Sequence, residues 1–198
     1  MAIEAVVACA ESEQAISRMD GFEARLRALF PAIGMLHPEG GSGDVSLAHV
    51  LQTAALALQA QAGCPVTFAR TTATIDPGVY QVVVEYSEEA VGRQAFEDAQ
   101  RLINAALGQG DFDAEAAIAN LRELDEDERL GPSTGSIVEA AAARGIPYRR
   151  LTRGSLVQFG WGSKQRRIQA AEVDSTSAVA ESIGQDKDLT KRLLHAAG

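Results

Sequence analysis

Aromatic residues are scarce in this chain: they make up 5% of its 198 residues, with a single Trp. A core built without them has to be assembled from Ala, Leu, Val and Ile. Hydrophobic residues reach 46%, which is enough to bury such a core and excludes an intrinsically disordered chain. Cysteine is scarcer still. Cys9 and Cys64 are the only two, they form no paired motif, and both sit beside apolar residues. They read as buried free thiols of a reducing compartment, not as a disulfide framework. No apolar run approaches the ~20 residues that a membrane span needs. The N-terminus lacks both a basic stretch and an apolar segment with a cleavage site, so no signal peptide is expected and the expected location is the cytoplasm. Positive charge is in deficit: 18 Lys and Arg stand against 27 Asp and Glu, a net charge of −9. That balance argues against broad binding to nucleic-acid phosphates and against anionic membranes. It fits a soluble enzyme or affinity for a cationic partner.

What is present is a helix-rich pattern, long enough for one domain of usual size and part of another. Ile3 to Ala10 reads as a strand. Gly21 to Phe30 carries Phe22, Leu26, Leu29 and Phe30 at helical spacing and stops at Pro31. Gly34 to Asp44 is rich in Gly and Pro and reads as a loop. Ser46 to Ala62 reads as a helix ended by Gly63 and Pro65. Leu47, Val50, Leu51, Ala54 and Leu58 form its stripe, and Ala55, Leu56 and Ala57 make it apolar nearly all round, so a buried helix is expected. Val66 to Thr74 and Val79 to Tyr86 are β-branched runs joined by Asp76-Pro77-Gly78, which predicts a strand, a turn and a strand. The continuous Val82-Val83-Val84 predicts that the second of these is central.

Ser87 reads as the cap of a helix with Glu88 and Glu89 in its first turn, running to about Leu107 and ending at Gly108. Asp113 reads as the cap of another, running to about Arg129, with Asp125 to Glu128 as a solvated acidic face. Gly131 to Ser136 is a break, and the expected domains are 1–130 and 131–198. Ser136 and Glu139 have capping-box spacing for a short helix closing at Gly145. Pro147 to Leu151, Leu156 to Phe159 and Arg166 to Val173 read as strands, with Gly160-Trp161-Gly162-Ser163 as a turn. Asp186 reads as the cap of a last helix from Lys187 to Ala197.

Several of these segments resemble one family. Gly131-Pro132-Ser133-Thr134, Gly145-Ile146-Pro147, Gln158-Phe159-Gly160-Trp161-Gly162, Arg167-Ile168-Gln169-Ala170 and Asp186-Lys187-x-x-Thr190-Lys191 resemble cyanophycin synthetases. So do Phe68-Ala69-Arg70-Thr71, Pro77 through Tyr86, and Gly92-Arg93. The agreement runs in order along nearly the whole chain, although Asp-Lys-x-x-Thr-Lys also occurs in other ATP-grasp ligases. The resemblance implies an α+β chain: an N-terminal helix and antiparallel-sheet domain, then the opening α/β segment of an ATP-grasp fold. For the parent protein it implies an ATP- and magnesium-dependent ligase, a homo-oligomer, that builds the polymer cyanophycin from aspartate and arginine. Members of the family begin about 20 residues earlier, and their nucleotide-gripping lysines and metal-holding carboxylates lie beyond the position of Gly198. The expectation is therefore a portion that binds or positions polymer, with no catalytic residue of its own and no tightly held ATP or magnesium.

In many members the N-terminal domain is similar to a metallopeptidase that cuts polymer into primers, with His-x-x-Glu-His on a helix and a later Glu on a strand. Two His at i and i+4 share a helix face and can hold zinc, and the Glu between them can activate water. Here the helix reads His49-Val50-Leu51-Gln52-Thr53. Gln52 cannot take a proton, and Thr53 is a poor zinc ligand. His49 and Glu85 remain as relics of the site, so no metal is expected. His37 lies in a Gly/Pro-rich loop, and its spacing supports no ligand role. The alternative readings are a working peptidase of this kind, against which Gln52 and Thr53 argue, and a non-catalytic interaction module.

Asp174-Ser175-Thr176-Ser177 precedes a short helix. Hydroxyls and N–H groups there suit either a carboxylate or phosphate site or simple N-capping. The resemblance puts this loop near the growing polymer, making Ser175, Thr176 and Ser177 candidate polymer contacts. Lys187 and Lys191 share one helix face; alone they read as solvated, and by resemblance they belong to the ATP-grasp signature. Arg166 and Arg167 read either as surface charge or as partners for acidic groups. The acidic residues Glu88, Glu89 and Asp125 to Glu128 offer arginine-bearing polymer a weak electrostatic attraction.

Overall fold

The computed structural model describes residues 1–37, 44–170 and 172–197. The centre of the loop expected between Gly34 and Asp44, together with Ala171 and Gly198, lies outside them. The chain divides into two compact units, Met1–Glu128 and Arg129–Gly198. Both mix helices with antiparallel strands, so the chain is α+β.

The first unit is built on three antiparallel strands, β1 (Ala2–Ala8), β2 (Ala69–Ala73) and β3 (Val79–Glu85), in the order β1-β3-β2. β3 is the central strand expected from Val82-Val83-Val84. Val82 and Val84 are buried, while Val83 points to the other face, as a pleated strand requires. The turn at Asp76-Pro77-Gly78 closes with Val79 N–H donating to Asp76 O at 3.1 Å, and Gly78 takes φ +77°, which a side chain would strain.

Among the described residues four α-helices accompany the sheet: α1 (Phe22–Leu29), α2 (Leu47–Ala62), α3 (Glu89–Ala106) and α4 (Ala114–Glu128). α2 packs on α3, α4, β2 and β3 and buries Val50, Leu51, Ala54, Ala55 and Leu58, as its nearly all-round apolar surface implies. The core adds Phe22, Leu26, Phe30, Leu102 and Leu121. Glycine is obligatory at one crossing. A Cβ on Gly92 of α3 would lie 2.6 Å from Tyr86 Cβ and 3.2 Å from Ile3 Cδ1, so the helix rests on the sheet through bare backbone. Cys9 and Cys64 are both buried and free.

The second unit has α5 (Pro132–Ala143), then β4 (Tyr148–Arg150), β5 (Leu156–Phe159), β6 (Arg166–Gln169) and β7 (Glu172–Val173) as a four-stranded antiparallel sheet in chain order, then α6 (Ala178–Gln185) and α7 (Lys187–Ala196). Its core is small: Val138, Val157 and Ile168, flanked by Leu130 and Phe159. No helix among the described residues is long and apolar enough to cross a membrane.

Three local expectations need correction. Ser87 does not cap α3; its hydroxyl donates to Asp125 Oδ1 at 3.2 Å, and Glu88 takes the cap position with no side-chain bond to the helix's first N–H groups. Ser136 does not open α5. Pro132 stands in the helix's first turn and Gly131 at its cap, because the fixed φ of proline favours that start and puts Ser136 inside the helix. Arg166 to Val173 is not one strand. β6 and β7 pair with each other (Gln169↔Glu172) around a turn in which Ala170 takes φ +52°. Asp113 and Asp186 do cap α4 and α7: Asp113 Oδ1 accepts from Ala116 N–H at 3.0 Å, and Asp186 Oδ1 accepts from Asp188 and Leu189 N–H at 3.0 and 2.9 Å.

Candidate functional site

His49 stands in the first turn of α2, three residues after Ser46, the N-cap. Its Nδ1 lies 2.8 Å from Ser46 Oγ and accepts from Ser46 N–H at 3.3 Å. A backbone N–H can only donate, so Nδ1 is the bare nitrogen and the neutral ring carries its proton on Nε2. The ring also meets Tyr80 edge to face, with centroids 5.6 Å apart. Burial of the half-covered ring holds its pKa below the usual histidine value. To bind a metal through Nε2 the ring would have to move its proton to Nδ1 and give up the Ser46 N–H bond. The sequence reading missed Ser46 and Tyr80 as partners of His49; the Ser-x-x-His spacing is a signal for Ser46, and no local pattern marks Tyr80.

The two residues at which the metal motif fails, Gln52 and Thr53, differ in their surroundings. Thr53 Oγ1 donates to His49 O at 2.9 Å, inside the helix. Gln52 Oε1 is buried without a hydrogen-bond partner.

Glu85 is elsewhere. Its Oε2 accepts from Thr67 N–H at 2.7 Å and from Phe68 N–H at 2.8 Å. These two donors hold the carboxyl below the usual carboxylate range. Its backbone oxygen accepts from Gln59 Nε2 at 3.0 Å. Gln59 lies ten residues beyond His49 on α2, about 15 Å of helix rise. Tyr80, which touches His49, lies five residues before Glu85 on β3, again about 16 Å. Two independent rulers therefore put His49 and Glu85 at opposite ends of the α2–β3 contact, and the structure does not bring the two together in one pocket. No group of three or more His, Cys, Asp or Glu able to hold a metal exists among the described residues. His37 instead meets Glu23, with Nε2 3.3 Å from its Oε2.

In the second unit, Thr176 Oγ1 accepts from Val173 N–H at 3.1 Å and Ser177 Oγ accepts from Val179 N–H at 3.3 Å. The Ser177 bond is the N-cap of α6, while the Thr176 bond closes the turn back onto Val173 at the end of β7. Ser175 is exposed beside them. The eight-residue α6 separates this loop from Lys187. Lys187 and Lys191 are exposed on successive turns of α7, whose Asp186 is spent on its cap. Arg166 and Arg167 are exposed on β6.

Residues 5–108 match the model of the cyanophycin synthase-like N-terminal domain. The chain is 41% identical over 155 residues to cyanophycin synthetase of Trichormus variabilis, an alignment covering 77% of this chain and 17% of that protein. The same figures hold for cyanophycin synthetase of a Nostoc species. For that of Geminocystis herdmanii the identity is 39%, covering 77% of this chain and 18% of the relative. The chain thus spans about a sixth of the length of the relatives it matches.

Proposed function

The chain belongs to the cyanophycin synthase-like N-terminal domain family, and from that premise we propose that it is the N-terminal portion of an ATP-dependent ligase that builds cyanophycin, holding or positioning polymer without cutting it. One observation carries this reading. The similarity to cyanophycin synthetases runs over 155 residues, longer than the 128 residues of the first unit, so it takes in part of the second unit as well. A free-standing peptidase domain would need only the first.

In the parent protein, ATP and magnesium supply the activation of a carboxylate toward an amine, and that chemistry is assigned to the five-sixths of the relatives' length that this chain does not span. The second unit is read as the opening of the ATP-grasp domain, with Lys187 and Lys191 at its edge and Ser175, Thr176 and Ser177 as polymer contacts. What this chain contributes is binding. Cyanophycin presents both carboxylate and guanidinium groups, and an acidic chain favours the guanidinium. The primer-making reading has no support in the geometry: His49 is spent on Ser46, Glu85 on two backbone donors, and they lie at opposite ends of α2.

Co-sedimentation with insoluble cyanophycin tests the proposal. The chain should pellet with the polymer and stay in solution with insoluble cellulose as a control. A chain that stays in the supernatant with both would remove the polymer-holding role.

A further inference from the structure

The net charge of the chain conceals a reversal of sign. The second unit, Arg129–Gly198, carries eleven Arg and Lys against six Asp and Glu, while the first carries seven against twenty-one. The acidity belongs to the first unit, and an anion meets a cationic second unit.

The four-stranded sheet of that unit sorts its arginines by face. Val157 and Ile168 pair across β5 and β6 and cluster with Val138 of α5. Side chains alternate along a strand, so Gln158 turns to the face away from α5. Its cross-strand partners there are Arg149 on β4 and Arg167 on β6. Directly opposed residues have Cβ atoms about 5 Å apart, so the two arginines rise from one face about 10 Å apart, with Gln158 between them. Gln158 is buried, and its amide donates to Gly160 O at 3.3 Å. Both arginines are exposed. Arg166, the neighbour of Arg167, pairs with Phe159 on the α5 side of the sheet.

We propose that Arg149 and Arg167 form a two-armed clamp for a carboxylate of the polymer. The clamp rests on the polymer-holding role proposed above and goes beyond it. Net charge favours only the polymer's guanidinium groups, and the clamp gives its carboxylates a partner. Each guanidinium is a planar fork that matches the two oxygens of a carboxylate. A carboxylate fits better than a phosphate. A cavity of about 250 Å³ adjoins Arg167, and Glu172 and Asp174 stand in its wall. Those two side chains repel a doubly charged phosphate more strongly than a singly charged carboxylate.

Two probes test the clamp on the whole 198-residue chain: insoluble cyanophycin by co-sedimentation, and soluble polyaspartate by titration calorimetry. Arg167→Ala should weaken binding about threefold, and Arg149→Ala with Arg167→Ala roughly tenfold, as expected for exposed charge pairs. Arg166→Ala removes the same charge one residue away on the other face and should leave binding unchanged. Exposed positions of this kind cost little stability when substituted. An equal loss in the Arg166 variant overturns the clamp, because net charge alone would then set the binding. Polyphosphate bound in preference to polyaspartate also overturns it. If the wild type and the double variant pellet equally with cyanophycin, the clamp falls and the polymer-holding role stands. If the wild type stays in the supernatant, the polymer-holding role falls and polyaspartate decides: binding lost in the double variant upholds a carboxylate clamp, and absence of binding overturns it.

Discussion

Gln59 Nε2 and the backbone oxygen of Glu85 are 3.0 Å apart, and that bond pins the C-terminal half of α2 to the end of β3, a helix's length away from His49. His49 and Glu85, the two residues that the resemblance marks as relics of a metal site, are thereby kept about 15 Å apart along the helix. A metal ion bridging them would require α2 to slide along the sheet and to break the Gln59 bond and the buried packing of Leu51 and Leu58.

The first consequence concerns zinc. After incubation with zinc and dialysis, the chain should retain far less than one equivalent by elemental analysis, and a chelator should leave its thermal midpoint unchanged. One retained equivalent lost on His49→Ala would show that the ring has exchanged Ser46 for a metal.

The second concerns acid. Burial lowers the pKa of His49 in the folded state, so the unfolded chain binds a proton that the folded chain resists. Stability should be full above about pH 6.5 and should fall as pH drops below that value. Urea unfolding at pH 7.5 and 5.5 measures the slope, and His49→Gln should flatten it. An equal slope in the variant would place the sensitivity on other groups.

Glu85 adds a separate window. Its carboxyl is held below the usual range by the Thr67 and Phe68 N–H groups, so its contribution is present at neutral pH and is lost as pH falls through the carboxylate range. Glu85→Gln should lower the midpoint at pH 7 and narrow the difference from wild type at pH 3. A constant difference across that range would mean that the charge plays no part.

Packing supplies the fourth. Gly92→Ala puts a methyl 2.6 Å from Tyr86 Cβ, an atom fixed close to the backbone. Overpacking of this kind should cost about 1–3 kcal/mol, read as a fall in the thermal midpoint. At an exposed helix position the same change would stabilise, because alanine is the better helix former.

The fold was largely legible where one local signal dominates. The apolar surface of α2, the Asp-Pro-Gly turn and the aspartate caps of α4 and α7 are decided by residues within a turn of one another. The reading failed where a distant group competed. The Ser87 hydroxyl serves Asp125, 38 residues on, and no local pattern announces that. Pro132 outbid the Ser136 spacing for the start of α5, and Ala170 adopts a left-handed turn that usually signals itself by glycine. At the candidate site, the chemistry of Gln52 and Thr53 could be read from their identities. The separation of His49 from Glu85 could not, since it depends on how α2 runs along β3.

The most direct measurement is the length of cyanophycin after incubation with the purified chain, with added zinc and with chelator, alongside the fraction of chain that pellets with polymer. The expected result is bound chain and polymer of unchanged length in both conditions. Polymer shortened with zinc and protected by chelator would contradict the reading, and would make this chain a peptidase whose metal site forms in a conformation other than the one described.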